Sequence, residues 1–336
     1  MKNVNVGAFL HLKNKLPLLD ARSPSEYHAG HIPGAVCFPL FEDQERAEIG
    51  TRFKNIGQKA AIRAGLDFVG PKLSGFVEKA EAMGSHKLLM HCWRGGMRSQ
   101  SLAWLLELYG FELIVLEGGY KAYRNALLDY FEKPPELKIL AGTTGSMKTA
   151  LLREMKRLGE QVVDLEDLAN HQGSSFGNQL STGQPSTEQF QNDLFEAFLQ
   201  LKQNQPVWLE DESFSIGKVH LVEPLYRKMQ QAPHYHLVLP KEKRIEVLVK
   251  DYGGLPKANL IQATQNISKK LGKTFTEEAI AHIKAGALDK AAGIILSYYD
   301  RAYDKSLQKK SKQIVGEFVF NGDDIENTAR LLINHP

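Results

Sequence analysis

The sequence predicts two consecutive α/β domains, each built on a parallel sheet with helices on both faces. Three observations carry that expectation. Short apolar runs alternate with stretches of helical periodicity along the chain. At 336 residues, 43% hydrophobic and 24% charged, the chain can bury two cores of ordinary size. Finally, Lys133-Pro134-Pro135-Glu136 interrupts any regular structure, and a new strand–loop–helix unit begins directly after it. The domains are therefore expected at residues 1–133 and 134–336.

In the first domain, residues 16–20, 35–38, 87–91 and 113–116 read as strands, and 102–109 and 120–131 as helices. In the second, residues 137–141 form a strand, followed by a loop and a helix that opens near Lys148. Ser186 is an expected N-cap for the helix after Gln184-Pro185. The chain holds no internal repeat and no low-complexity tract.

No apolar run reaches the length of a membrane span, and Met1-Lys2-Asn3-Val4-Asn5 lacks a signal-peptide core, so a cytoplasmic chain with no membrane partner is expected. Two cysteines, Cys37 and Cys92, exclude a disulfide framework and any all-cysteine metal site. The net charge of +3 is unevenly spread. Residues 241–273 carry eight Lys or Arg against three acids, and residues 301–315 carry five against one. Such clusters fit a phosphate backbone or, more plainly, solvated helix faces.

The first chemically loaded segment is His91-Cys92-Trp93-Arg94-Gly95-Gly96-Met97-Arg98-Ser99, at a strand end and leading through glycines into a helix. In that geometry backbone N–H groups converge on one point, the helix N-terminus adds positive potential, and Arg98 offers a planar fork to an oxyanion. The same field favours the thiolate, which is the reactive form of Cys92. Arg94 and Arg98 are candidate catalytic partners, and Trp93, Gly95, Gly96 and Ser99 complete the donor loop. Cys37, in an apolar strand, reads as packing. His91 should face away from Cys92 and reads as structural.

A second anion loop, Gly142-Thr143-Thr144-Gly145-Ser146-Met147-Lys148-Thr149, resembles a Walker A sequence. In such a loop the backbone around Gly142, Gly145 and Ser146 surrounds a diphosphate, Lys148 neutralises it and the Thr149 hydroxyl can hold Mg²⁺. Met147 stands where the pattern has glycine, so its side chain is expected to crowd the bound phosphates. Asp164, Glu210 and Asp211 are candidate metal or substrate acids, the last two at the end of an apolar strand. No metal held directly by the protein is assigned.

The stretch Asp20-Ala21-Arg22-Ser23-Pro24-Ser25-Glu26-Tyr27-His28-Ala29-Gly30-His31-Ile32-Pro33-Gly34-Ala35 resembles the opening motif of rhodanese domains. Asp20 and Glu26 can fix its turns and pair with basic groups. Five residues separate Cys92 from Arg98, where common sulfurtransferase loops have four. The longer loop is similar to that of dual-specificity phosphatases of the rhodanese fold, and its wider cradle suits a phosphate-sized donor.

Further stretches extend a resemblance over nearly the whole chain. They include residues 46–54, 116–124, 164–177, 184–190, 210–213 and 297–303. Together they resemble the bacterial tRNA 2-selenouridine synthases, a rhodanese-like doubly wound parallel sheet fused to a P-loop NTPase-like α/β domain. The departures are Met147 and Gln172, the latter where arginine would follow the histidine.

The resemblance implies replacement of sulfur by selenium at the wobble 2-thiouridine of tRNA, through an S-geranyl intermediate. It implies tRNA, geranyl diphosphate and selenophosphate as substrates, the selenophosphate synthase as a further partner, Mg²⁺ with the diphosphate and no tightly bound cofactor. Cys92 would attack selenophosphate at selenium and become a perselenide, with Arg98 and the loop amides holding the departing phosphate. Lys148, Thr149, Gly142 and Gly145 would hold the diphosphate. Lys269, Lys270 and Lys273, and Lys309, Lys310 and Lys312, are candidates for tRNA phosphates. The two loops alone also fit a rhodanese-fold phosphatase or a sulfur-relay protein with a regulatory P-loop. Neither accounts for the motifs outside the loops.

Overall fold

Strands covered on both faces of a parallel sheet need apolar residues in succession, and the chain supplies them in two sets. The computed structural model describes residues 1–171, 183–309 and 313–335, the side chains of 304–309 excepted. It divides into two units, Met1–Tyr130 and Phe131–Pro336.

The first unit runs β1 (Lys2–Val4), α1 (Val6–Lys13), β2 (Leu18–Asp20), α2 (Pro24–Ala29), β3 (Ala35–Cys37), α3 (Asp43–Asn55), α4 (Gln58–Val69), α5 (Leu73–Glu81), β4 (Lys87–His91), α6 (Met97–Tyr109), β5 (Glu112–Leu116) and α7 (Gly119–Glu132). The division between the units falls in the last turns of α7, shortly before the Lys133-Pro134-Pro135-Glu136 break. All pairings are parallel, in the order β1-β5-β4-β2-β3. From β4 the chain crosses by α6 to one side, and from β2 it crosses by α2 to the other. The sheet therefore has a switch point between β2 and β4, where Asp20 is in register with His91. The sequence reading had no β1. Its three residues form the edge of the sheet against β5 and only Val4 is buried, so its apolar signal is short.

Beneath the switch point lies a buried ion pair. Arg22 is 1% exposed, its Nη2 donates to Asp20 Oδ2 at 2.6 Å and to the Gly30 carbonyl at 2.6 Å, and its guanidinium lies 3.8 Å from the Tyr120 ring centre. A charge buried this deeply is tolerated only because its partners surround it. Arg22→Met should therefore strand the Asp20 carboxylate and cost roughly 3–5 kcal/mol, read as a lower urea midpoint in equilibrium unfolding.

The second unit runs β6 (Leu137–Gly142), α8 (Lys148–Arg157), β7 (Gln161–Val162), α9 (Leu165–Leu168), α10 (Thr187–Leu199), β8 (Val207–Glu210), the hairpin β9 (Ser215–Ile216) and β10 (Val219–His220), α11 (Glu223–Gln231), β11 (His234–Val238), α12 (Lys241–Tyr252), α13 (Lys257–Asn266), α14 (Ser268–Leu271), α15 (Lys273–Ala285), α16 (Leu288–Lys309), β12 (Ile314–Val319) and α17 (Ile325–Ile333). Its sheet is again parallel, in the order β12-β11-β6-β8-β7, with β6 central. Because α8 leads from β6 to one side and α11 from β8 to the other, the switch point lies between β6 and β8. Ser186 caps α10, its Oγ accepting from Gln189 N at 3.0 Å. Helices α12 to α16 form a layer with apolar clusters of their own, one around Leu260, Ile283 and Ala291 and one around Ile267, Leu271 and Ile295. None of the described helices is long and apolar enough to cross a membrane.

Candidate active site

Cys92 leaves the end of β4 at the first switch point, 3% exposed. Ser99, in the first turn of α6, places its Oγ 3.2 Å from Cys92 Sγ as a donor, and the thiol faces the Gly96 carbonyl at 3.8 Å. The loop is anchored from behind. Tyr120 N donates to the Cys92 carbonyl at 2.8 Å and Lys121 N to the Trp93 carbonyl at 3.0 Å, so the first amides of α7 take up the loop's carbonyls. This approach explains the glycines in the stretch 116–124. Gly119 has φ +60, and a Cβ on it would collide with the Cys92 carbonyl oxygen and the Gly95 amide.

Of the loop residues, Cys92, Gly96 and Ser99 come together. Trp93 is 38% exposed and tilts against Tyr120, with ring centres 5.8 Å apart. Arg94 is exposed and makes no hydrogen bond or ion pair among the described residues. Arg98, the expected oxyanion fork, is paired with a carboxylate. Its Nη1 donates to Glu26 Oε2 at 2.5 Å and its Nη2 to Oε1 at 3.4 Å. Burial raises the Glu26 carboxyl, but the hydrogen bond and charge of Arg98 outweigh it and hold it below the usual range. Sequence could not show that carboxylate on this arginine, because 72 residues separate them. His91 is fully buried, 3.7 Å from Asp20, and burial pushes its imidazole below the usual range, so it belongs to the scaffold.

The second anion loop leaves β6 at the other switch point. Lys148, the first residue of α8, turns its Nζ back to the Gly142 carbonyl at 2.8 Å. Gly145 has φ +80, and a Cβ there would come within 3.2 Å of the Arg244 carbonyl oxygen and Leu248 Cγ, so α12 lies directly on the loop. The Ser146 hydroxyl is buried with no hydrogen-bond partner among the described residues. Met147 adopts φ 64, the left-handed conformation for which glycine is the ordinary residue. Its side chain packs against the cluster of Leu151, Leu239 and Phe320 and also forms part of the wall of the cavity over the loop. Above the loop opens a cavity of about 690 Å³ whose walls include Gly145, Lys148, Thr149, Glu166, Glu210 and Glu212.

Known proteins share both halves of this arrangement. The profile of the tRNA 2-selenouridine synthase AAA domain matches residues 135–331, and that of the rhodanese-like domain matches residues 7–126. The tRNA 2-selenouridine synthase of Shewanella denitrificans is 35% identical, over 91% of this chain and 91% of that protein. That of Pseudomonas fluorescens is 36% identical, over 90% of this chain and 91% of its own. The chain belongs to the tRNA 2-selenouridine synthase family. A crystal structure of the N-terminal domain of a Clostridium difficile 630 protein is 38% identical, covering 38% of this chain and 99% of that one, with a TM-score of 0.36.

In this family member the expected acid Glu210 stands over the phosphate loop, joined there by two acids that were not expected. Glu166, Glu210 and Glu212 bring one carboxylate oxygen each within 4.8 Å of one another. Asp164 lies beside Glu210 and also caps α9, accepting from Asp167 N at 2.9 Å. Asp211 is a correction. Side chains alternate along the extended chain past β8, so Asp211 turns the other way, to within 3.7 Å of His234 Nε2. The same alternation could have revealed Glu212 from the sequence, whereas Glu166 lies in the short helix α9, within a polar stretch that has no such pattern.

Both Glu210 oxygens are buried without a donor among the described residues. Three carboxylates beside a threonine hydroxyl form an all-oxygen donor set that fits a hard divalent cation. Of the candidate tRNA lysines, Lys269, Lys270 and Lys273 are exposed on α14 and the start of α15, with Lys273 4.0 Å from Glu277. The side chains of Lys309, Lys310 and Lys312, and Gln172 with the rest of 172–177, lie outside the described residues.

Burial, then the charge of Glu166, push the Glu212 carboxyl up to about 8 against the pull of Lys148, and burial with Glu166 and Glu212 raises Glu210 well above the ordinary range. A carboxyl raised in the folded state contributes stability that is full below its ordinary value of 4.5 and lost as pH rises through about 8. The melting temperature without divalent cations should therefore fall as pH rises from about 4.5 to about 8, Mg²⁺ should restore it most at the alkaline end, and Glu212→Gln should flatten both effects.

Proposed function

We propose that this chain modifies tRNA in two steps, prenylating the sulfur of the wobble 2-thiouridine and then replacing that sulfur by selenium. Its relatives are named for 2-selenouridine synthesis. The observation that carries the reading is the presence in one chain of a buried thiol with a hydroxyl donor on its sulfur and a lysine-bearing phosphate loop facing an acid cluster.

In the first step the sulfur of the base attacks C1 of geranyl diphosphate, the C1–O bond breaks, diphosphate leaves and the base loses its N3 proton. Lys148, Thr149 and the loop amides neutralise charge as it develops on the leaving group. Mg²⁺, held by Glu166, Glu210 and Glu212, would supply further positive charge to that diphosphate. Alkylation matters because it turns the sulfur into a leaving thiolate and makes C2 electrophilic.

In the second step Cys92 opens selenophosphate. The perselenide implied by the resemblance does not balance with phosphate as its product. Attack on selenium sends the P–Se electron pair to phosphorus and releases phosphite, and a reductant must later cleave the S–Se bond. Attack on phosphorus gives an S-phosphocysteine and hydrogen selenide, and both elements keep their oxidation states. We place the attack at phosphorus, which the five-residue loop suits. Hydrogen selenide adds to C2, geranyl thiolate leaves and the selenium proton passes to N3. Water then hydrolyses the phosphocysteine, and Ser99 Oγ stabilises the departing thiolate.

Nucleoside mass spectrometry of the variants separates the steps. Lys148→Ala should slow formation of the geranylated base by roughly 10²-fold. Cys92→Ser should accumulate that base and form no selenouridine; unchanged selenouridine would remove Cys92 from the assignment. With phosphorus-labelled selenophosphate, wild-type protein should carry the label and Cys92→Ser should not, whereas labelled phosphite in solution would restore the perselenide.

A further inference from the structure

A second, apolar cavity opens beside the phosphate loop, between α12, α13, α15 and α16. Leu248, Leu260, Ile283, Ile295, Leu296 and Tyr299 line it, and no charged side chain does. It shares Thr144, Leu248 and Tyr252 with the larger cavity over the loop, so the two border one another at those residues. The junction is held in place. Arg244, 6% exposed, binds Asp300 through Nη1 at 2.7 Å and Nη2 at 2.9 Å, and its Nη1 also donates to the Thr144 carbonyl at 3.3 Å. That bidentate pair ties α12 and α16 to the phosphate loop and fixes the apolar walls relative to it.

A charged phosphate cradle with an uncharged slot directly beside it fits one class of ligand, a phosphate ester with a hydrocarbon tail. A nucleotide base would need polar edges to meet its own, and the slot is walled almost entirely by aliphatic side chains. We infer that this slot holds the distal part of the isoprenoid chain of the diphosphate donor, and that Leu248, Ala291 and Leu288 set the chain length accepted. The inference rests on the reading of the phosphate loop as a prenyl diphosphate site. The free space is about 60 Å³, so the slot takes the end of a short chain and excludes a long one. Ala291 belongs to the apolar cluster of Leu260 and Ile283, where a larger side chain would fill the slot.

Calorimetric titration of the full chain, in Mg²⁺, with inorganic diphosphate, dimethylallyl diphosphate, geranyl diphosphate, farnesyl diphosphate and ADP tests this. Geranyl diphosphate should bind at least about tenfold tighter than dimethylallyl diphosphate, which has one isoprene unit less to bury. Ala291→Phe should reduce geranyl diphosphate to the affinity of the dimethylallyl ester and leave inorganic diphosphate unchanged, which also shows that the loop is intact. Leu288→Ala should gain affinity for farnesyl diphosphate. Equal binding of geranyl and inorganic diphosphate by the wild type, or an unaltered tail preference in both variants, overturns the slot and leaves the phosphate-loop reading standing. Failure to bind any diphosphate ester, or ADP binding tighter than geranyl diphosphate, overturns the donor reading and the slot with it.

Discussion

Both candidate sites depend on one constraint of parallel sheets. Where the connections from two adjacent strands run to opposite sides, the carboxyl ends of those strands are left without a covering helix. In the first unit this happens between β2 and β4, and the Cys92 loop leaves there; in the second it happens between β6 and β8, and the phosphate loop faces the acids across the gap. The apolar strands put few polar groups at these points. Among those that are present, the Asp20–Arg22 pair and Glu210 are charged-type side chains that are fully buried.

The two loops achieve anion affinity by different means. The cysteine loop has its carbonyls taken up by the first amides of α7, and its main arginine is already charge-balanced by Glu26. The phosphate loop instead sets Lys148 opposite carboxyls that burial and their mutual repulsion push towards the neutral form. A divalent cation and a diphosphate can neutralise one another there, and neither is favoured alone.

Much of this was legible in the sequence, and the omissions have physical causes. Residues 87–91 and 137–141 announced strands through continuous apolar runs, and glycine-bearing loops followed each, so the nucleophile and the phosphate cradle could be placed on strand ends. Met147 breaks the glycine pattern, and a residue letter does not show that its backbone takes the glycine conformation while its side chain packs on the core at the cavity wall. Asp211 was misplaced and Glu212 overlooked because the two-residue alternation persists beyond the end of β8. The Glu26–Arg98 and Arg244–Asp300 pairs join residues 72 and 56 positions apart, which no local pattern encodes.

The central claim is that two donors act in sequence on one base. It is tested most directly by nucleoside mass spectrometry of 2-thiouridine tRNA incubated with the protein, Mg²⁺, geranyl diphosphate and selenophosphate, and with each donor omitted in turn. The account predicts 2-selenouridine only when both donors are present, and the S-geranyl base when selenophosphate alone is omitted. Selenouridine formed without geranyl diphosphate would contradict it.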